Sequence, residues 1–262
     1  MKPDLTRLKE PALVVVFLGL CLENATAADE STTDANIIAA VDISLSVDPV
    51  DARIEIEGMA EAIRTPAILR AIKAGHHGRI GFAMIAWYNG VYPVLVPWTL
   101  IGSEREAQAV SDRLQNRFPS VIETMAGTVG RRTDISGAIA RSTMLLSTAP
   151  YVADRLIVNI IGNGQDNVRE GPEPARDVLI AMGGTINGVV LGNDPTVVEY
   201  YRQRVIGGPG AFLMSANDAD TITEVLVRKF LLDIAIKGAD DDTRRFSELE
   251  DLRSENDRGC RA

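Results

Sequence analysis

Short apolar runs occur along the chain, and the first of them covers residues 37–41. Every residue of this run is apolar, as expected of a central parallel strand that helices cover on both faces. Similar runs recur at residues 80–87, 156–161, 186–191 and 211–214. The pattern therefore predicts a parallel sheet buried between two layers of helices.

The segments between these runs carry helical periodicity and helix start signals. Asp48 followed by Pro49 provides a capping residue and a first-turn proline, and Thr65-Pro66 is predicted to break or kink this helix. Ser103 and Glu106 form a capping-box pattern ahead of an apolar helical face. Further helical patterns cover residues 135–146, 174–182, 195–205 and 222–234. Strands and helices are therefore predicted to alternate.

An Asn-Gly pair at residues 89–90 lies between two strand-like runs. This pair favours a two-residue hairpin, so we expect one short antiparallel strand at residues 91–96 on an edge of the sheet. Because right-handed crossovers join alternating strands and helices, the chain is predicted to fold as a doubly wound, mostly parallel, Rossmann-like α/β domain. We expect a single domain from about residue 36 to about residue 236.

The N-terminus has the three parts of a secretory signal peptide. Basic residues that include Lys2 and Arg7 precede an apolar run at residues 12–22, and small residues ending at Ala27 follow it. This run is 11 residues long, whereas a membrane span needs about 20. We therefore expect residues 1–27 to be removed on export, which makes the protein periplasmic or secreted.

Composition places the chain among folded globular proteins. The 262 residues are 46% hydrophobic and 24% charged, and the net charge of -9 argues against nucleic acid as a partner. After removal of the leader only Cys260 remains, so no internal disulfide is expected. Residues 28–238 are predicted to form the domain, and residues 239–262 are predicted to form an acidic, disordered tail.

The loop that follows the first apolar run carries oxygen ligands. In an open α/β sheet, ligands bind beyond the carboxyl ends of the strands. If the segment stays extended, Asp42, Ser44 and Ser46 share one side and offer a carboxylate and two hydroxyls. These are hard oxygen donors that suit Mg²⁺ or Mn²⁺. The serines could instead cap the helix that starts a few residues later, and spacing alone leaves both interpretations open.

Residues 42–46 read Asp-Ile-Ser-Leu-Ser, which resembles the Asp-x-Ser-x-Ser signature of the von Willebrand factor type A (vWA) domain. The order of later features is similar as well: the Asn-Gly hairpin, Thr133 before a predicted helix, and a strand that runs into a Gly-Asn-Gly turn at residues 162–164. The segments 41–48 and 96–99 also resemble a bacterial group of exported vWA proteins of unknown function. The resemblance covers about 200 residues of the chain.

This resemblance implies a binding module and not an enzyme. In the vWA family, a metal-ion-dependent adhesion site (MIDAS) holds a divalent cation, and a carboxylate from a protein partner completes the shell of the ion. Carried over, Ser44, Ser46 and Thr133 would supply hydroxyl ligands. Asp42 would act directly or through water, and Asn163 stands where the family has an aspartate. The implied cofactor is Mg²⁺ or Mn²⁺, and the implied partner is a protein that offers an Asp or Glu.

The asparagine at position 163 changes the charge of the implied site. Asn163 keeps an acceptor oxygen but removes one negative charge, so we expect weaker cation binding and a stronger pull of the ion on an incoming carboxylate. Asp134 or Asp166 could restore the charge, or the site could be degenerate and bind no metal. Arg131 and Arg132 would lie on the rim, where they could guide an acidic partner, pair with Asp134 or remain solvated.

Two other functions stay open: a metal-free scaffold in an envelope complex, and a Mg²⁺-dependent phosphohydrolase with Asp42 as the nucleophile. A serine-histidine-acid triad is not expected, because His76 and His77 are the only histidines and lie in a predicted turn at the opposite edge of the sheet. The sequence also has no Gly-x-x-x-x-Gly-Lys-Ser/Thr phosphate loop. We therefore expect a non-enzymatic protein.

Overall fold

The structure is a computed structural model that describes residues 32–43, 49–126, 132–168, 171–216 and 222–235. The strands in these ranges are β1 (Thr32–Thr33), β2 (Asn36–Asp42), β3 (Ile80–Trp87), β4 (Val94–Ile101), β5 (Val152–Ala153), β6 (Leu156–Gly162), β7 (Gly184–Leu191) and β8 (Leu213–Ala216). The helices are α1 (Pro49–Ala62), α2 (Pro66–Lys73), α3 (Glu104–Ala126), α4 (Ile135–Ser147), α5 (Glu173–Ala181), α6 (Pro195–Tyr200) and α7 (Ile222–Ala235). A π-helical turn, Tyr201–Val205, directly follows α6.

Six strands form one sheet in the order β4-β3-β2-β6-β7-β8. Only β4 runs antiparallel to its neighbour, and every other neighbouring pair is parallel. β1 and β5 pair separately as a short parallel ladder. The predicted mostly parallel sheet with one antiparallel edge strand is therefore confirmed.

Alternation along β2 sends its side chains into two separate hydrophobic cores. Ile37 and Ala39 belong to the core that includes α1, α3 and α7, whereas Ile38 and Ala40 belong to the core that includes α4 and α6. Every residue of β2 is buried. Since successive side chains of a strand point to opposite faces, Asp42 lies on the face of Ile38 and Ala40. This is the face that α4 and the π-helical turn cover.

The antiparallel edge strand is longer than predicted. Asn89 and Gly90 have φ values of 46° and 78°, the left-handed pair that a two-residue hairpin turn needs, so the hairpin is confirmed. The ladder of β4, however, starts at Val94 and extends well beyond the predicted range of 91–96. The antiparallel edge strand is therefore present as predicted, and only its bounds differ from the predicted range. Register shifts on both sides of Met84 interrupt the pairing near the turn, and such irregularities leave no mark on the apolar pattern.

The last strand is displaced from its predicted position. The apolar run predicts a strand at residues 211–214, but β8 covers Leu213–Ala216. The backbone N–H of Phe212 donates to the side-chain oxygen of Asn187 at 3.0 Å. The Phe212 N–H, which the prediction assigns to a strand, is therefore bonded to a side chain of β7 instead of to its backbone. This explains why β8 starts later than predicted.

The apolar pattern does not predict the strands β1 and β5, because each is only two residues long, too short to show a periodicity. Next to them, His77 is half-buried, with its ring nitrogen 3.3 Å from the Asp154 carboxylate and its backbone N–H 2.9 Å from Asp34. His76 is exposed. Both histidines lie between α2 and β3, at the amino end of the sheet as predicted, although His77 is less exposed than a solvated turn would leave it.

Helix α7 is tied to the sheet by a buried polar network. Lys229 and Asp233 have fully buried side chains and form an ion pair across one helical turn. Asp233 also accepts hydrogen bonds from the side-chain amides of Asn159 and Asn187, each at 2.9 Å. Burial lowers the pKa of the Lys229 ammonium from its ordinary value, and the Asp233 carboxylate opposes this effect. The network joins α7 to β6 and β7.

Helix α3 begins with the predicted capping box. The Ser103 hydroxyl accepts from the Glu106 backbone N–H at 3.3 Å and donates to the Glu106 carboxylate at 2.8 Å. Ser103→Ala is expected to lower the free energy of unfolding by about 1 kcal/mol, because a first-turn N–H loses its acceptor. Urea denaturation followed by circular dichroism measures this loss. Ser120→Ala on the exposed side of α3 is the control, with an expected change within about 0.5 kcal/mol; equal losses would contradict the capping role.

Two predicted segments lie at the ends of the chain. The predicted signal peptide, residues 1–27, and the predicted acidic tail, residues 239–262, lie outside the described residues. The described elements run from Thr32 to Ala235, inside the predicted domain of residues 28–238. None of the described helices combines the length and the apolar character that crossing a membrane requires.

Candidate metal site

A crevice opens where the strand order of the sheet reverses. From β2 the chain moves to β3 on one side, and it later returns to β6 on the other side. Such a reversal separates the connecting loops and leaves a crevice at the carboxyl ends of the two central strands. Asp42 ends β2 and Gly162 ends β6, each one residue beyond the paired residues Val41 and Ile161. The candidate site lies at these two strand ends.

Asp42 lies buried at the base of this crevice. Its residue is 0% exposed, and its Oδ2 atom is shielded from solvent. A Cβ atom on Gly162 would lie 3.0 Å from Asp42 Cβ and 3.3 Å from Oδ2, which is tighter than most side-chain contacts. Glycine at this position therefore lets β6 approach the carboxylate closely. A cation bound at the base of the crevice would favour the ionised form of this buried carboxyl group, because an opposite charge nearby offsets the cost of burial.

Thr133 is held beside the crevice by the loop that follows β6. Its backbone N–H donates to the side-chain oxygen of Asn167 at 2.9 Å, and its carbonyl accepts from the Asn167 backbone N–H at 3.0 Å. A Cβ atom on Gly164 would lie 3.6 Å from the Thr133 hydroxyl oxygen. Thr133 is 5% exposed. Two hydrogen bonds and a close glycine contact therefore set the place of this threonine.

Asn163 lies between Gly162 and Gly164, in a segment that borders Asp42 at one end and Thr133 at the other. The carboxamide oxygen of Asn163 is shielded from solvent. Three of the predicted site residues thus come together from three separate segments of the chain: the end of β2, the start of α4 and the loop after β6.

The two aspartates that could restore the charge lost at position 163 organise the start of α4. Asp134 caps the helix, accepting from the Gly137 N–H at 2.8 Å and from the Tyr92 hydroxyl at 2.6 Å. Asp166 accepts from the backbone N–H of Ser136 at 2.7 Å and from its hydroxyl at 2.9 Å. These contacts direct both carboxylates toward the first turn of α4, where they support the threonine loop.

Of the remaining residues that the sequence analysis singled out for this site, only Arg132 lies within the described ranges. Ser44, Ser46 and Arg131 lie outside the described residues. Arg132 is exposed, and its backbone N–H donates to the side-chain oxygen of Asn89 at 3.0 Å. The loop before α4 is therefore tied to the hairpin turn, and the Arg132 side chain is available to solvent on this side of the sheet.

Tyr201 is a crevice residue that the sequence analysis missed. A Cβ atom on Gly162 would lie 2.9 Å from its hydroxyl, on the same side as Asp42. Burial, and to a smaller extent the Asp42 carboxylate, raise the pKa of the Tyr201 hydroxyl well above its ordinary value, so the phenol stays protonated. A helical pattern over residues 195–205 contains no signal for the π-helical turn that turns this side chain inward.

The chemistry of the gathered side chains fits a hard divalent cation. Asp42 offers a carboxylate, Thr133 a hydroxyl and Asn163 a carboxamide oxygen, and all three are oxygen donors of the kind that Mg²⁺ and Mn²⁺ accept. Within the described ranges, no group of three or more His, Cys, Asp or Glu side chains is arranged to hold a metal ion. A cation in the crevice would therefore depend on hydroxyl and amide oxygens as well as on carboxylates.

Comparison with known families places most of the chain in one group. Residues 32–238 match the family described as "Protein of unknown function (DUF1194)". This match includes β1 to α7 and every candidate site residue. A search of curated proteins found no match to the sequence.

Solved structures share the fold at low sequence identity. The chain is similar to proximal thread matrix protein 1 of the mussel byssus, with 15% identity and a TM-score of 0.54 over 79% of this chain and 49% of that chain. A form of that protein with a zinc-occupied MIDAS motif gives 16% identity and the same TM-score and coverage. The pilus adhesin SpaC from Lactobacillus rhamnosus GG gives 12% identity and a TM-score of 0.52 over 77% of this chain and 30% of that chain. The chain spans half or less of the length of these proteins, and the similarity shows the fold alone.

Proposed function

The chain belongs to the DUF1194 family and has the fold of a vWA domain, and from this premise we propose that it is an exported, non-enzymatic binding module. It binds a protein partner through a divalent cation, Mg²⁺ or Mn²⁺, held in the crevice between β2 and β6. An aspartate or glutamate of the partner supplies the carboxylate that completes the shell of the cation. The predicted leader, residues 1–27, sends it to the periplasm or the medium.

The observation that carries this proposal is the convergence of oxygen donors at one crevice. Asp42 and Thr133 each lie close to one of the two glycines that flank Asn163. Thr133, the Asp42 Oδ2 atom and the Asn163 carboxamide oxygen are largely shielded from solvent. Ser44 and Ser46 follow Asp42 directly in the sequence and would add two hydroxyl ligands. A solved protein of the same fold has a zinc-occupied MIDAS motif, which supports the proposal of a divalent cation here.

The charge of the donor set explains why a partner carboxylate would bind. Of the three described donors only Asp42 is negatively charged, because Thr133 is neutral and Asn163 carries an amide. When bound, the cation would supply a positively charged position that attracts an anionic oxygen. The chain's own residues hold that position in place, and they leave part of its charge for the partner.

The rim of the crevice adds local selectivity for acidic partners. Arg132 is exposed beside Thr133, and Arg131 precedes it in the sequence. The chain as a whole has a net charge of -9, so a pair of arginines makes this edge differ from the average surface. Opposite charges at an interface guide association and exclude wrongly charged partners.

Calorimetric titration of the chelator-treated protein with Mg²⁺ and Mn²⁺ tests the proposal. We expect saturable binding, together with a higher midpoint of thermal unfolding, because a ligand that binds only the folded state stabilises it. Thr133→Val removes the hydroxyl at nearly constant volume and is expected to weaken cation binding about tenfold. Thr133→Ser keeps the hydroxyl and is the matched control, with affinity close to that of the wild type.

Other outcomes would point to the alternative functions. If neither ion binds, the cation-dependent module is wrong and a metal-free scaffold is favoured. If Thr133→Val and Thr133→Ser bind equally well, the threonine hydroxyl is not a ligand. Mg²⁺-dependent hydrolysis of a phosphate ester that is lost in Asp42→Asn would contradict the non-enzymatic role and favour a phosphohydrolase.

A further inference from the structure

The hydroxyl of Tyr201 is a buried polar group at the base of the crevice. Tyr201 is 0% exposed, and among the described residues its hydroxyl has no hydrogen-bond partner. Buried polar groups are nearly always hydrogen-bonded, so an exception calls for a specific reason such as an ordered water or an ion. The surroundings of this hydroxyl indicate what it contacts.

The hydroxyl and the Asp42 carboxylate border the same small space. A Cβ atom on Gly162 would lie 2.9 Å from the Tyr201 hydroxyl and 3.3 Å from Asp42 Oδ2. Any side chain at position 162 would therefore enter the region between the two oxygens. Because the residue there is glycine, no side chain separates the two oxygens from this direction.

The backbone around Tyr201 is built to turn this side chain inward. The Ile206 N–H donates to the Tyr201 carbonyl at 3.0 Å, which is the five-residue bond of a π-helical turn. On the solvent side of the turn, the Arg204 guanidinium pairs with the Glu173 carboxylate and lies 5.3 Å from the centre of the Tyr200 ring. π-helical turns are rare and are frequent at functional sites. The ion pair anchors the turn from the solvent side while Tyr201 fills its buried side.

A second buried donor lies at the same edge. The indole N–H of Trp87 is shielded from solvent and has no hydrogen-bond partner in the described part of the chain. Trp87 pairs with Asp42 in register across β2 and β3, and both side chains lie on the same face of the sheet. A phenol hydroxyl and an indole N–H thus accompany the buried carboxylate. Water can accept from such donors and donate to the carboxylate.

We propose that Tyr201 is a positioning residue of the cation site, whose hydroxyl holds an ordered water that bridges to the Asp42 carboxylate. The bridge keeps the carboxylate turned toward the cation. The inference rests on the proposed function, and it adds a residue that the vWA signature does not contain. It also explains a buried hydroxyl that would otherwise only destabilise the fold.

Tyr201→Phe separates a binding role from a structural one. Removing a hydroxyl that has no protein partner is expected to leave the unfolding midpoint of the cation-free protein unchanged or higher. Loss of the water bridge is expected to weaken Mg²⁺ binding about fivefold, the change that corresponds to one hydrogen bond of ordinary strength. Calorimetry and thermal unfolding measure the two effects. Tyr151→Phe makes the same change at the amino end of the sheet, and its affinity should match the wild type.

Each outcome decides a different point. If the wild type binds Mg²⁺ and Tyr201→Phe binds it equally well, the role of Tyr201 is wrong while the cation site stands. If the wild type binds no cation, the cation site and this inference both fail. A lower unfolding midpoint of cation-free Tyr201→Phe would show that the hydroxyl stabilises the fold directly, which also overturns the inference. A high-resolution crystal structure gives an independent answer, since the water should lie within hydrogen-bond distance of the Tyr201 hydroxyl.

Discussion

Replacement of Asp233 by alanine is expected to lower the free energy of unfolding by about 3–5 kcal/mol. The change leaves the Lys229 ammonium buried without its carboxylate, and the side-chain amides of Asn159 and Asn187 lose their acceptor. A buried charge without a partner is among the most destabilising arrangements in a protein interior. Because domains are stable by only about 5–15 kcal/mol, a loss of this size is a large fraction of the total.

Urea denaturation at neutral pH measures this effect, with Asp177→Ala as the control. Asp177 forms an exposed ion pair with Arg176, so its removal is expected to change stability by less than about 1 kcal/mol. The double variant Lys229→Met, Asp233→Leu removes both charges and is expected to be more stable than Asp233→Ala alone. If the double variant is as unstable as the single one, the loss comes from packing and not from the uncompensated lysine.

Replacement of Asn163 by aspartate is expected to tighten Mg²⁺ binding by about 10- to 100-fold. The carboxamide oxygen of Asn163 is shielded from solvent beside Gly162. Water would therefore screen only weakly the attraction between a carboxylate at this position and a cation in the crevice. Without a cation, two buried carboxylates in one crevice would repel each other. We therefore expect the cation-free variant to be less stable than the wild type and the cation-loaded variant to be more stable.

Calorimetric titration with Mg²⁺ measures the affinity, and Asn167→Asp is the matched control. It adds the same charge in the same loop at an exposed position, where solvent screens it, and it keeps the oxygen that accepts from the Thr133 N–H. We expect a change of less than about threefold for this control. Equal tightening by both variants would indicate a general effect of charge, and no tightening by Asn163→Asp would argue against position 163 as part of a cation site.

The fold could be predicted from the sequence because buried strands and helix faces appear as local patterns of apolar residues. The apolar run at residues 37–41 matches β2, which is buried along its whole length, and the Asn-Gly pair at residues 89–90 has the left-handed backbone of a hairpin turn. The edges were harder to predict. β4 begins beyond the register shifts around Met84, and β8 begins after Phe212, whose backbone N–H donates to the side-chain oxygen of Asn187. Neither feature follows from periodicity.

The residues of the candidate site likewise fall into two groups, those expected from the sequence and those that the structure added. Asp42 follows from its motif and from the rule that ligands lie at the carboxyl ends of the strands, whereas Thr133 and Asn163 were expected only from the resemblance to the vWA family. Tyr201 does not follow from either, because its place depends on a π-helical turn far along the chain. The roles of Asp134 and Asp166 as supports of α4 likewise required their hydrogen bonds to be known.

The alternation of strands and helices, the hairpin and the oxygen-rich loop after the first strand can all be inferred from the amino-acid sequence alone. These features depend on residues close together in the chain, and local propensity and apolar spacing express them directly. Three sets of contacts are visible only in the folded protein: Tyr201 borders Asp42, Asn167 holds Thr133, and Lys229 and Asp233 tie α7 to Asn159 and Asn187. Contacts of this kind join residues that are far apart in sequence, and packing selects them only once the sheet has brought its strand ends together.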